Sequence, residues 1–227
     1  MSAPFDAYGD SYQAVVQRSI GFSGVKHDVF LEAKARILSE IFAEHLGSGL
    51  PSLLDVGCGT GSLHRYLRPI VGRLAGSDPS TESLARARGR HPEVDYRAQE
   101  ESALPWQDRV FDVTLAVCVF HHVARDGRRA LLCEMIRVTR PGGLVVLIEH
   151  NPWNPLTRLA VSRCPFDADA VLLDAREGRR LLRDAGLRRV RSRHFLALPS
   201  ASRWAGALER PLARIPLGAQ YAVIGKV

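Results

Sequence analysis

Leu53-Leu54-Asp55-Val56-Gly57-Cys58-Gly59-Thr60-Gly61-Ser62-Leu63 is the stretch whose reading decides the fold. A short apolar run comes first, then glycines at alternate positions, then a helical pattern through Leu63, Tyr66 and Leu67. That order predicts a buried strand, a tight loop and a helix start. Gly57, Gly59 and Gly61 carry no side chain, so a ligand can lie against the main chain. Dinucleotide and phosphate sites use similar glycine loops, and the loop alone does not choose between them. Asp55 is the more informative residue, a carboxylate at the mouth of an apolar strand. A buried charge is costly unless paired. A cationic ligand would pair it, and so would a ring of loop amides. Spacing argues against the dinucleotide fingerprint, because Gly61 follows Gly59 by two positions where that motif needs three.

Asp55-Val-Gly-Cys-Gly-Thr-Gly61 resembles the first motif of the class I S-adenosylmethionine-dependent methyltransferases. The resemblance implies that this loop, with Asp55, Gly57, Cys58, Gly59 and Gly61, carries the methionine part of the cofactor. Later motifs follow in order. Arg73 to Ser77 reads as a second strand ending in Asp78-Pro79-Ser80, with a helix onward to about Arg90. An acidic residue there can accept both ribose hydroxyls, and Asp78 matches the family's ribose position, with Pro79 beside it; a helix cap is the other reading of Asp78. Val94 to Ala98 is a third strand, followed by Gln99-Glu100-Glu101-Ser102-Ala103-Leu104-Pro105-Trp106. That resembles the family's acidic residue before Leu-Pro-Phe, which helps hold adenine. Counting back from Leu104 gives Glu100, with Glu101 one residue away.

Phe111 to Phe120 is nearly all apolar, as a central parallel strand should be, and it runs through Cys118, a further cofactor-side candidate. Its carboxyl end meets His121-His122, and open α/β sheets bind ligands at such ends. Alternation turns one of the two toward the pocket, and we take His121. Leu131 to Val138 is helical, Arg140-Pro-Gly-Gly143 is another shared family feature, and Leu144 to Ile148 is the fifth strand. It leaves through Glu149-His150-Asn151-Pro152-Trp153-Asn154-Pro155, a stiff loop in which Trp153 would wall a substrate pocket. His150 could reach an acceptor as a general base, or simply bond backbone as a loop histidine.

Ahead of the first strand, Asp6 to Gln17 reads as a short helix with Tyr8 and Tyr12 on one face. Ile20 to Gly24 is a hinge, and a longer helix runs through Phe30, Ile37, Ile41 and Phe42 to Gly47. In the family such a segment caps the cofactor and shapes the substrate pocket. Tyr8, Tyr12, Phe22 and His27 would then be lid residues, though plain packing explains the aromatics almost as well. Thr157 to Leu173, with Cys164-Pro-Phe-Asp-Ala-Asp169, matches no family motif and reads as a substrate-side insertion. Asp174 to Ala185 is a helix, Val190 to Leu198 a strand, Trp204 to Leu212 a short helix or turn, and Gln220 to Val227 a last strand.

Composition bounds the rest. The 227 residues suit one α/β domain, and 46% hydrophobic with 24% charged is ordinary for a globular protein. Neither a membrane-spanning run nor a secretion signal stands out, so a cytoplasmic location is expected. Cys58, Cys118, Cys133 and Cys164 are far apart, and no metal-ligand spacing of Cys, His, Asp and Glu is visible. A net charge of +7 comes largely from arginines, which read first as solvated helix faces and shift an acceptor toward anions. No aromatic RNA-binding pattern accompanies them, and none is expected to read nucleic acid. The expectation is one domain over 1–227: a cap over 1–52, a cofactor core over 53–150 and closing elements over 151–227. The resemblance implies a Rossmann-like, seven-stranded, mostly parallel sheet with an antiparallel terminal strand and helices on both faces. It implies S-adenosylmethionine as methyl donor to a small-molecule acceptor such as a quinone, lipid, sugar or natural product. A catalytically silent cofactor-binding partner would share the same motifs. A nicotinamide-dependent oxidoreductase would need the glycine spacing that is missing.

Overall fold

The computed structural model describes residues 12–100, 103–196 and 217–227. Strands β1 (Ser52–Val56), β2 (Arg73–Asp78), β3 (Asp95–Ala98), β4 (Phe111–Val117), β5 (Thr139–His150), β6 (Arg188–Phe195) and β7 (Gln220–Lys226) form one sheet in the order β3-β2-β1-β4-β5-β7-β6. β1 to β5 pair in parallel, and β7 runs antiparallel to both β5 and β6. The sheet is the expected one. The order reverses between β1 and β4, and the carboxyl ends of those strands open the crevice in which such sheets bind ligands.

Alternation along the strands divides the core in two. Leu53, Val113, Leu115, Leu144, Val146 and Ile148 join helices α2 (His27–His45) and α4 (Thr81–Arg90) on one face. Leu54, Val56, Ala116, Val145 and Leu147 join α5 (Arg128–Val138) and α7 (Ala175–Asp184) on the other. Side chains of successive strand residues point to opposite faces, and near-continuous apolar strands follow from burial on both.

Boundaries shift in ways that matter for the site. The first described helix, α1, covers Tyr12–Ile20, three residues beyond the Gln17 end expected from sequence, and a 3-10 turn over Gly21–Ser23 then leads toward α2. After the glycine loop the helix α3 is a single turn, His64–Leu67. β4 stops at Val117, because Cys118 takes a left-handed backbone with φ of 57°, so the run expected to reach Phe120 bends away three residues early. β5 is longer than its apolar stretch at both ends, and Glu149 and His150 are strand residues paired with Tyr221 and Gln220. The segment expected as an insertion carries α6 (Pro155–Ser162) and a 3-10 turn over Pro165–Asp167. The helix or turn expected over Trp204 to Leu212 lies outside the described residues.

Candidate active site

The glycine loop is held from below by β2. The amides of Gly57 and Cys58 both donate to the Ser77 carbonyl, at 2.8 and 2.9 Å. Gly59 N–H donates to Asp78 Oδ2 at 2.8 Å, and Ser80 N–H to Asp78 Oδ1 at 2.9 Å. Asp78 therefore pins the loop and the start of α4 at once, while Ser80 itself caps α4 by accepting from Ser83 N–H. Gly57 cannot be replaced, since its φ is +71° and a Cβ would come within 2.5 Å of Val119. Gly61 serves packing, because a Cβ there would lie 2.8 Å from the Tyr96 hydroxyl.

Asp55 is 3% exposed, and its protein partner is a side chain rather than the ring of loop amides. Its Oδ2 lies 3.0 Å from Nε2 of His64, whose Nδ1 meets the Tyr96 hydroxyl at 2.6 Å. His64 is fully buried on α3, and this Asp55–His64–Tyr96 chain was not legible in the sequence. Oδ1 of Asp55 is buried with no hydrogen-bond partner among the described residues. An orphaned carboxylate oxygen on a ligand cavity is costly unless a donor or cation reaches it.

A second cluster lies at the ends of β4 and β5. Glu149 is 1% exposed, and its Oε1 accepts from the amides of Val119 and Phe120, at 3.1 and 2.8 Å. Its Oε2 lies 2.5 Å from Nδ1 of His121. Nε2 of His121 faces Asp167 Oδ1 across 3.3 Å, and Nε2 of His122 faces the same oxygen across 3.4 Å. The His150 ring centroid is 5.3 Å from that of His121. Asp167 is brought in by a stitched connection: Val171 N–H donates to His121 O, and Arg128 donates to the carbonyls of Val123 and Val171 while pairing with Glu177. Sequence spacing showed no such cluster, and the fold corrects that reading by gathering His121, His122 and Asp167 within ligand-sharing distance.

Charge is distributed unevenly over these histidines. Burial works against a charge on His121, but Glu149 and Asp167 overcome it and raise its pKa to about 10. Burial and the charge on His121 push both His122 and His150 down to about 4. The Glu149 and Asp167 carboxyls resist the pull of burial and titrate below the usual range, held there chiefly by His121. Burial keeps the thiols of Cys58 and Cys118 protonated.

Both clusters open on one cavity of about 900 Å³. Of the residues expected in a site, Asp55, Gly57, Cys58, Gly59, Asp78, Pro79, Cys118, His121, His150, Phe22 and His27 line it, and Gly61 stands behind the loop. The expected acidic residue after β3 does not line it: Glu100 is exposed, and Gln99, 8% exposed, takes that place. Glu101 and Tyr8 lie outside the described residues, as does the Tyr12 side chain. Trp153 is 69% exposed and turns away from the cavity; Leu156 and Val161 of α6 form that wall. Lys34 of α2 also lines the cavity, 7% exposed, and forms no ion pair among the described residues.

Residues 54–147 match the methyltransferase domain family. That stretch reads as a methyltransferase domain running from β1 into β5. Over 109 residues it is 35% identical to a ubiquinone biosynthesis O-methyltransferase of Rhodopseudomonas palustris, covering 46% of this chain and 41% of that protein. Over 117 residues it is 33% identical to a demethylmenaquinone methyltransferase of Chlorobaculum parvum, covering 49% and 46%. The match thus spans less than half the length of these relatives. Among solved structures, an S-adenosylmethionine-dependent methyltransferase of Thermotoga maritima superposes with a TM-score of 0.65 at 20% identity, covering 98% of this chain and 97% of that one. One from Mesorhizobium loti gives 0.57 at 20% identity, covering 79% and 92%. These structures share the fold of the methyltransferase domain.

Proposed function

We propose that this chain transfers the methyl group of S-adenosylmethionine to a small-molecule hydroxyl acceptor. The observation that carries the reading is the single cavity joining the Asp55–Gly59–Asp78 end to the His121–His150 end at the switch point of the sheet. Asp55 Oδ1, lacking a partner, suits the cationic amino group of the cofactor, and Asp78 suits its ribose hydroxyls. Gln99 stands where the adenine would lie.

The chemistry is an in-line displacement at a sulfonium carbon, and the domain chiefly brings donor and acceptor into line. His150, uncharged at neutral pH, is the group available to take the acceptor's proton. His121, charged between two carboxylates, holds the acceptor end of the site in register. Support for an anionic acceptor comes from Lys34, a buried lysine lining the cavity. Support for a partly lipophilic one comes from Phe22 and Leu156, apolar lining residues 39% and 60% exposed. Two relatives are named for ubiquinone biosynthesis and for demethylmenaquinone, and a phenolic acceptor related to quinones would combine both properties. Among the described residues no helix is long and apolar enough to cross a membrane. Calorimetric titration tests the cofactor: S-adenosylhomocysteine should bind and NAD should not, and the opposite result would sink the reading.

A further inference from the structure

We propose that His121, His122 and Asp167 form a binding site for one divalent cation of the zinc type, with its open positions facing the acceptor end of the cavity. Three features of the geometry carry this.

The first is distance. One ligand atom from each residue lies within 4.8 Å of the other two. Asp167 Oδ1 is 3.3 Å from His121 Nε2 and 3.4 Å from His122 Nε2. Two ligands bonded at about 2.0–2.1 Å and held at a tetrahedral angle stand about 3.3 Å apart. Both measured edges have that length.

The second is the orphaned nitrogen. His121 Nε2 is buried and makes no well-directed hydrogen bond, although a carboxylate oxygen stands close by. Nδ1–H is donated to Glu149, so the ring nitrogen that a cation would use is Nε2, after its proton is displaced. A cation bound there would take the place of the Nε2 proton between His121 and Asp167.

The third is Glu149. A ligating histidine almost always donates its other ring nitrogen to a carboxylate or carbonyl, which fixes ring and tautomer. Glu149 does this at 2.5 Å, and it is itself fixed by the amides of Val119 and Phe120. Two histidines and one carboxylate leave coordination positions open, the pattern of a catalytic rather than a structural site. All three ligands line the cavity. This placement rests on the acceptor reading above only for its role. A hydroxyl bound there would lose its proton more readily, and the oxygen's electron pair would attack the methyl carbon as the C–S pair returns to sulfur. The proton would pass to His150 or water.

The test is calorimetry of the metal-stripped full chain with zinc chloride, run beside a titration with S-adenosylhomocysteine. The expected result is one zinc per chain, bound at least tenfold more weakly by His122→Ala and by Asp167→Asn, both of which keep the wild-type affinity for S-adenosylhomocysteine. Cobalt chloride should give visible bands of a low-coordinate nitrogen and oxygen site, absent in Asp167→Asn. Zinc failing to bind a chain that binds S-adenosylhomocysteine would overturn the proposal. So would stoichiometric zinc binding of equal strength in both variants, which would place the ion elsewhere. Loss of S-adenosylhomocysteine binding with zinc binding intact would instead overturn the cofactor reading alone.

Discussion

The two ends of the cavity are built differently. At the glycine-loop end, Asp55, Gly57, Gly59 and Asp78 come from neighbouring strands and their immediate loops, all within one β-α-β unit. At the histidine end, proposed above to face the acceptor, His121, Glu149 and Asp167 come from the turn after β4, from β5 and from the connection beyond α6. The first end uses backbone amides and one carboxylate to shape a loop. The second buries a histidine between two carboxylates, with two more histidines beside it. A loop shaped by its own amides suits a ligand that is the same in every turnover. A cluster collected from distant segments is free to differ wherever the acceptor differs.

The contrast is broken most directly at Glu149. Replacing it by leucine leaves the amides of Val119 and Phe120 and the His121 ring without their acceptor, inside the core. The expected loss of folding stability is about 3–5 kcal/mol, the range for breaking a buried ion pair. Urea unfolding measures it. A loss under 1 kcal/mol would mean that water or another group satisfies His121, and that the acceptor end is a soft loop cluster after all.

His150→Ala asks whether the ends are separable in function. Turnover should fall about a hundredfold, within the 10²–10⁴ range of general-base catalysis, while affinity for S-adenosylhomocysteine holds. Turnover near normal across pH would remove His150 from the reaction and point to the bound acceptor's own acidity.

Asp78→Ala probes the other end. Affinity for S-adenosylhomocysteine should weaken by about 1–3 kcal/mol, since ribose hydroxyls and two loop amides lose an acceptor. An unchanged affinity would leave Asp78 as a brace for the glycine loop and nothing more.

The same contrast explains what was legible in the sequence. Asp55, the glycine loop and Asp78 are readable because their chemistry is local: strand, turn and helix start follow one another, so spacing alone places the residues. The sheet was readable too, since apolar strands at regular intervals leave few arrangements. His64 was missed because a lone histidine after a glycine loop gives no sign that one helical turn will bury it against Asp55 and Tyr96. Glu149 was passed over because it stood in what read as an exit loop, while two further residues of pairing with β7 carry it into the sheet. Strand alternation then put it on the face opposite His150, under the β4 turn. Asp167 carried a weak signal, an acidic residue in a segment without a motif. Only the stitching of that segment to His121 and Arg128 gives it a role. Trp153 was misjudged because a stiff loop looks like a wall from either side.

The smallest effect expected lies at the start of α2, the segment expected from sequence to act as a lid. His27 opens α2, its N–H donating to Gln17 Oε1 at 2.8 Å, and its ring lines the cavity. Burial, and then Lys34 one face along the helix, push its pKa from 6.5 to about 4, against a weaker pull from Asp28. The helix N-terminus disfavours the cation further. Because the folded pKa lies below the unfolded one, the unfolded chain binds the extra proton between pH 6.5 and 4. Stability is therefore full at neutral pH and falls as the pH drops through that window. His122 and His150 shift in the same direction, so acid sensitivity is shared between lid and acceptor end. His27→Phe should remove the lid's share, recovering on the order of 1 kcal/mol of the stability lost between pH 7 and pH 5. Urea unfolding of the variant and the parent at those two pH values gives the difference. If the variant loses as much as the parent, the lid opens before the rest unfolds, and the cap is a separate unit laid over a rigid pair of sites.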